Sequence, residues 1–358
     1  MALHSSDPAT VYLSVWARVT DFDPADMARA LYEDKDLIRI LGMRRTMWVV
    51  PTDFAPVVHS SSTAALAVPQ RRRLTKMLEE GGVTTDGRAW LDNVSSETLA
   101  ALDRLGHPTA RELSAEVPEL AEKITLHKGD GSLMGHFGAS TRVLFQLATE
   151  GLAVRAKPLG SWLSSQYRWS TIENWIGAPL DVLDRELAQD RLLGHWLKVF
   201  GPATETDIKW WTGWPVTNVR ASLQRIEAVE VELEDGVGHV WPDDEEPVDP
   251  LAPHAVLLPS LDPTTMGWKQ RDWYMGEHSP RLFDRNGNAG PTIWFDGRVV
   301  GGWAQRADGR IAYEIFDDVG AEGKQAIEDR ALEVQEWLGE ITVTARFRSP
   351  HDKELTSS

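Results

Sequence analysis

A chain of 358 residues that is 42% hydrophobic is long enough to bury the cores of two or three domains. Its net charge of -17 argues against a polyanionic partner unless positive charge is concentrated locally, since net charge says nothing about distribution. The absence of cysteine excludes disulfides and thiolate metal sites, and the ten histidines lack the close spacing of a metal site on one helix, so neither a metal nor a cofactor is expected. No charged-then-apolar leader and no long apolar run is present, so a cytoplasmic protein without a membrane span is expected. The sixteen tryptophans, several of them in IKWWTGW (208–214), are read as bulky core filler rather than as stacking platforms for bases.

The stretch LHSSDPATVY (3–12) supplies Asp7 as an N-cap and Pro8 in the first turn, predicting a helix over 8–19. DFDPADMARALYED repeats the device with Asp23 and Pro24 and predicts a second helix over 24–34. LIRILGMRRTMWVVP (37–51) is apolar and β-branched with a glycine break, the pattern of two short strands. Helical sequence resumes from Thr52 through Glu80 and stops at Gly81-Gly82. The order helix, helix, strand, strand is that of a winged helix-turn-helix module, here residues 1–82.

Two later segments share one grammar. GHPTARELS (106–114) and GPATETDIK (201–209) each put Gly at a turn, a threonine cap three residues on, and an apolar residue four beyond that, Leu113 and Ile208. Helices precede both, in SSETLAALDRLG (95–106) and LDRELAQDRLLGHWLKVFG (183–201). Helices also follow them, with Val143, Leu144, Leu147 and Leu152 at helical spacing in one case and Val219, Leu223 and Ile226 in the other. Hairpin sequence then closes each copy. This internal repeat predicts a second winged-helix module over 83–170 and a third over 171–248. From 249 to 358 the period changes: turns at Asp296-Gly297 and Asp308-Gly309 predict hairpins, followed by a helix near 320–338 and a closing strand over 341–347. The fold class expected is therefore α+β, tandem winged helix-turn-helix modules followed by a small C-terminal β-barrel or sheet domain.

Charge is distributed unevenly. Arg39, Arg44, Arg45, Arg71, Arg72, Arg73 and Lys76 face a single acid, Asp53, whereas 227–249 holds ten Asp or Glu and no Lys or Arg. Three tandem winged helices make duplex DNA the leading partner, since the unit sets a helix in a groove and its wing on the backbone. Protein interaction is the competing use, and the acidic hairpin EAVEVELEDGVGHVW of the third copy fits that use better. The second copy carries Arg142 on its recognition helix and Arg155, Lys157 and Arg168 in or near its wing. Arg44, Arg45, Arg71, Arg72, Arg73, Lys76, Arg142, Arg155 and Lys157 are the expected phosphate contacts, converging on one positively charged face. RNGNAG (285–290) is read as a turn, because no helix follows it, and FDD (316–318) as a helix-capping turn.

The segments SSDPATVYLSVWARV (5–19), ALYEDKDLIRILGMRRTMWVVP (30–51), LLPSLDPTTMGWKQRDWYMG (257–276) and LFDRNGNAGPTIWFDGRVVGGWAQR (282–306) carry a resemblance over nearly the whole chain. They resemble the winged-helix crosslink-repair DNA glycosylases typified by AlkZ and YcaQ. The resemblance implies a monomer with three winged helices around duplex DNA that removes bulky or crosslinked N-alkylated purines by hydrolysis of the N-glycosidic bond. In that family a Gln-x-Gln or Gln-x-Asp strip before the helix start positions water. The matching residues here are His4, Ser5 and Ser6, which implies His4 and Ser6 as the catalytic pair and marks a departure from the family pattern. The family also has a helical segment ahead of the strip. Here only Met1 and Ala2 precede Leu3, so the first module is expected to lack its opening helix, or else its reading frame starts too late. Lys269 and Arg271, in a segment shared with the family, are candidate DNA contacts or interdomain salt-bridge partners. Two alternatives stand beside a glycosylase: a non-catalytic DNA-binding protein, regulatory or lesion-binding, and an acidic protein-interaction scaffold.

Overall fold

The computed structural model describes residues 2–234, 236–246 and 248–357; Asp235, one of the ten acids above, lies outside the described residues. Helices alternate with small antiparallel sheets in a mixed α+β architecture. By compactness the chain divides into two units, Ala28–Leu192 and Met1–Met27 with Leu193–Ser358. No helix among the described residues is long and apolar enough to cross a membrane.

In the unit Ala28–Leu192, strands Leu37–Leu41 and Met47–Pro51 pair antiparallel with Leu37 opposite Pro51 and Leu41 opposite Met47. The helical sequence over 52–80 forms as a 3-10 turn, a short α-turn Ala55–Val58, a π-helical turn His59–Thr63 and the helix Ala64–Glu80. The π turn keeps a polar group inside: the Ser60 hydroxyl accepts from the Leu183 N–H at 3.1 Å, and the Thr63 hydroxyl donates to the His59 carbonyl at 3.2 Å. Helices Gly87–Leu105, Ala110–Glu116 and Ala139–Thr149 join Ala64–Glu80 around Leu78, Leu91, Leu102, Leu113, Val143 and Leu147. Thr109 begins its helix with a capping box: its hydroxyl accepts from the Glu112 N–H at 3.2 Å, and the Glu112 carboxylate accepts from the Thr109 N–H at 2.7 Å.

Leu152 does not belong to the helical stripe. The helix ends at Thr149, and Gly151 at φ 74 turns the chain into strand Ala153–Pro158, leaving Leu152 41% exposed. Glycine is required there twice over, because a Cβ would also lie 2.9 Å from His59 Cε1. Strand Ala153–Pro158 pairs with Tyr167–Thr171. A further hairpin, Lys123–His127 with Leu133–Gly138, lies between the second and third helices of this copy and has no counterpart in the repeat deduced from spacing.

In the other unit, Asp7 caps helix Pro8–Trp16 by accepting from the Ala9 N–H at 3.1 Å. That helix is tied to the SLDP turn (260–263): the Thr10 hydroxyl donates to the Ser260 carbonyl at 2.6 Å, and buried Asp262 accepts from Ser14 and from both terminal nitrogens of Arg18. Helices Glu205–Thr212 and Val216–Arg225 lead into the hairpin Val229–Leu233 with Gly236–Val240, and Thr204 repeats the capping box with Asp207. Trp211 and Trp214 are buried, and Trp211 lies 5.6 Å from Trp196, so this aromatic run is core.

Strands Ala255–Leu258, Thr292–Phe295, Arg298–Gln305 and Ile311–Ile315 form one open antiparallel sheet, against which helix Gly320–Leu338 packs. Residues 341–347 do not form the predicted closing strand. Side chain replaces ladder there: the Gln305 amide donates to the Ile341 carbonyl at 3.0 Å and accepts from the Val343 N–H at 2.7 Å, and helix Pro350–Ser357 follows. RNGNAG is a turn folded on Asp284, whose carboxylate accepts from the Asn286 and Asn288 N–H groups at 2.8 and 2.9 Å. In FDD, Asp318 accepts from the Gly320 N–H at the head of the last long helix.

Candidate nucleic-acid interface

Within the unit Ala28–Leu192, three guanidinium groups come together from three elements. Arg45 stands at the tip of the first hairpin, Arg73 on the exposed side of helix Ala64–Glu80, and Arg142 in the first turn of helix Ala139–Thr149. Arg142 lies over the Phe137 ring at 4.9 Å and Arg45 over Phe145 at 6.0 Å. Burial disfavours the charge on Arg142, and the positive charges of Arg73 and Arg45 disfavour it further, so its pKa is depressed. None of the three has a carboxylate in ion-pair reach among the described residues. Three like charges held together without an acid raise the energy of the free protein and lower it again when an anion arrives.

The hairpin tip pays for this placement with backbone strain. Arg44 and Arg45 take φ of 52 and 62, the left-handed region that side chains other than glycine and asparagine avoid, at about 1 kcal/mol or more each. The turn is held by the Gly42 N–H on the Thr46 carbonyl at 2.9 Å and by the Thr46 hydroxyl on the Met43 carbonyl at 2.9 Å.

The remaining predicted contacts divide by environment. Arg71, next to two exposed arginines on the same helix, turns inward and is bound by Asp92 and by Glu150, the latter at 2.7 Å. Burial works against its charge and the two carboxylates more than restore it, so its pKa is raised. Arg71 therefore fastens helix Ala64–Glu80 to its neighbours rather than facing a ligand. Arg72 and Lys76 are exposed, and Lys76 makes an exposed pair with Glu80 at 3.3 Å that contributes little. Arg44 is half-buried and Lys157 exposed, while Arg155 lies 5.2 Å from the Tyr167 ring and 5.7 Å from Trp169. Arg168 donates to the His107 carbonyl at 2.8 Å.

In the other unit, the Lys269 side chain is exposed while its N–H donates to Asp207 at 2.8 Å. Arg271 is enclosed, with no ion pair among the described residues. It is 9% exposed, lies 5.2 Å from the Trp210 ring and 4.3 Å from Phe283, and has its pKa lowered by burial.

The opening strip is mostly inside. His4 is 3% and Ser5 1% exposed, and the His4 Nδ1 accepts from the Ser6 N–H at 3.4 Å, which occupies that lone pair. The Ser6 carbonyl accepts from Arg346 at 3.3 Å. Asp7 accepts from the Ala9 and Arg346 N–H groups at 3.1 and 2.8 Å; burial raises its pKa and those bonds, with the Arg346 charge, offset part of the rise. Among the described residues no group of three or more His, Asp or Glu is placed to hold a metal ion.

Comparison with protein families matches residues 1–337 to the AlkZ-like DNA glycosylases. The chain belongs to the AlkZ-like DNA glycosylase family. The solved structure of the DNA glycosylase AlkZ from Streptomyces sahachiroi is similar in fold, with a TM-score of 0.71 at 20% identity over 96% of this chain and 90% of that one. No curated protein matches the chain. For this AlkZ-like chain, sequence reasoning passed over the platform under Arg142: Phe137 sits on the unpredicted hairpin, although Asp130-Gly131 between two alternating stretches is a hairpin signal. It also passed over Arg18 and Asp262, which lie about 240 residues apart and carry no local signature.

Proposed function

We propose that this AlkZ-like chain is a DNA-repair glycosylase that acts as a monomer on duplex DNA and excises bulky or crosslinked N-alkylated purines. The observation that carries the duplex partner is the Arg45, Arg73 and Arg142 cluster, whose mutual repulsion phosphate oxygens would relieve. Arg44, Arg72, Lys76, Arg155, Lys157 and Lys269 extend the contact, and Arg71 acts as a brace. The helix–helix–helix–hairpin order of Gly87–Leu105, Ala110–Glu116, Ala139–Thr149 and the strands to Thr171 supports reading 83–170 as a winged-helix module. The same order over 171–248 supports a further one, with 1–82 as the first module and 249–358 as the appended sheet domain.

In the proposed reaction the purine, cationic once alkylated at N7, leaves with the C1′–N9 electron pair. Water adds to C1′ and gives up a proton, so the protein must orient water and stabilise an oxocarbenium-like sugar. His4 and Ser6 occupy the positions that would do this. A second reading, a lesion-binding relative without cleavage, is favoured by the burial of His4 and the full commitment of Asp7 as a cap.

Incubation with duplex carrying one N7-alkylguanine, followed by alkaline scission at abasic sites, tests both. Cleavage by the wild type that drops at least about tenfold in His4→Ala and Ser6→Ala, with Arg73→Gln/Arg142→Gln weakening binding about tenfold, is the expected result. Tight binding without abasic sites leaves the second reading, and no binding even at ~50 mM salt rejects both in favour of a protein-interaction scaffold.

A further inference from the structure

The last segment of the chain brings one guanidinium group to the opening strip, within the unit Met1–Met27 with Leu193–Ser358. Residues 341–347 are held at one end by the buried Gln305 amide, which binds the Ile341 carbonyl and the Val343 N–H. At the other end the Ser349 hydroxyl accepts from the Asp352 N–H at 3.1 Å as helix Pro350–Ser357 begins. Two arginines on this stretch meet different partners. Arg348 is spent within the segment: its Nε donates to the Asp352 carboxylate at 2.6 Å and a terminal nitrogen donates to the Asp352 carbonyl at 3.1 Å. Arg346 reaches the strip instead. Its N–H donates to Asp7 at 2.8 Å, and its exposed guanidinium donates through one terminal nitrogen to the Ser6 carbonyl at 3.3 Å. The family match ends at residue 337, so the residue making this contact lies beyond it.

The Ser6 backbone is held on both sides. Its N–H donates to His4 Nδ1 and its carbonyl accepts from Arg346, so the two peptide planes that set the direction of the Ser6 side chain are both fixed. A single bond to a neutral carbonyl leaves most of the five-donor guanidinium fork uncommitted. The carboxylate beside it, Asp7, is buried and already accepts from two N–H groups, and Arg346 makes no ion pair among the described residues.

What such a group can do here is restricted by sign. Loss of a purine leaves positive charge on the sugar, and a guanidinium set against C1′ would oppose it. The anion beside each sugar is a phosphodiester, and a guanidinium fork takes two phosphate oxygens at once. A guanidinium tied both to the Ser6 carbonyl and to that phosphodiester fixes the distance from strip to sugar, which is the positional requirement for adding water to C1′. We propose that Arg346 binds a phosphodiester flanking the nucleotide that reacts, and so sets its sugar against His4 and Ser6. The proposal rests on the glycosylase reading above and adds to it the residue that places the substrate. Arg346 transfers no proton, and the bonds made and broken are those already described.

The test takes the full chain and a duplex with one N7-alkylguanine, in which either flanking phosphodiester is replaced by an uncharged methylphosphonate. Single-turnover excision by the wild type is expected to fall about tenfold at one of the two replacements, the low end of what a charged hydrogen bond contributes. Arg346→Met is expected to show the same loss of about tenfold on the unmodified duplex and no further loss on that methylphosphonate, since one contact can be removed only once. The main-chain bond to Asp7 survives this substitution, and the wild-type arm, which needs no substitution, stands even where the variant melts lower. A wild type indifferent to both replacements overturns the assignment. Losses that multiply in Arg346→Met also overturn it, because another group then holds that phosphate. A wild type that binds the duplex without excising the base overturns the glycosylase part of the parent reading alone, and the same four-way comparison run on affinity then decides the Arg346 contact. Absence of binding to any duplex overturns the parent reading first, and this assignment with it.

Discussion

Arg71, Arg72 and Arg73 are chemically identical neighbours with different fates. Successive residues on a helix point about 100° apart, so what each guanidinium meets depends on the helices beside it. Arg71 meets Asp92 and Glu150, while Arg73 meets the positive charges of Arg142's neighbourhood. His59 is the opposite kind of residue, a histidine whose burial holds its pKa below the ordinary 6.5, with Nδ1 lying 3.3 Å from the Thr63 hydroxyl. Its neutral form is the folded one. As pH falls below 6.5 the unfolded chain takes up a proton that the folded chain refuses, and stability is lost until pH reaches the depressed folded value. Urea unfolding at pH 7.5 and pH 5.0 should therefore show a larger acid loss for the wild type than for His59→Asn. Equal losses would mean that His59 is accessible to protons in the folded protein.

The two capping boxes show how similar elements come to carry unequal weight. Glu112 and Asp207 each occupy the third position after a threonine cap and return a hydrogen bond to it. Glu112 remains exposed, whereas Asp207 is 2% exposed and its second oxygen accepts from the Lys269 and Gln270 N–H groups, both at 2.8 Å. Removing the Asp207 carboxylate leaves those donors unanswered in a buried place. Asp207→Ala is expected to cost about 2–3 kcal/mol. The loss from Glu112→Ala should be clearly smaller, and thermal melting of the two variants side by side decides the order; equal losses would show that the extra bonds to Asp207 contribute nothing.

For the molecule as a whole, a net charge of -17 and an affinity for a polyanion are compatible only if the cations are segregated. Acids crowd residues 227–249, while Arg45, Arg73 and Arg142 stand together with no ion-paired acid among the described residues. With the nine cations of the proposed contact each neutralising one phosphate at ~0.9 ion, a plot of log affinity against log salt should fall with a slope of about -8. Arg142→Gln should make it shallower by about one. A slope near zero would place the duplex elsewhere or show that it is held without phosphate contact.

What the sequence by itself determined was the punctuation: Asp7-Pro8, Thr109, Thr204, Gly81-Gly82 and Asp296-Gly297 start and stop their elements where composition and spacing predict. Caps and turns are legible because their hydrogen bonds and dihedral preferences close within four or five residues. The positions of the candidate arginines were equally legible, but not their roles. Only the tertiary structure decided that Arg71 binds carboxylates, that Arg271 is enclosed by rings, that Arg142 faces like charge, and that residues 341–347 satisfy Gln305 instead of extending a sheet. Each of those outcomes depends on groups distant in the chain, and the energy of a charge or an edge strand is set by whatever packing brings within a few ångströms of it.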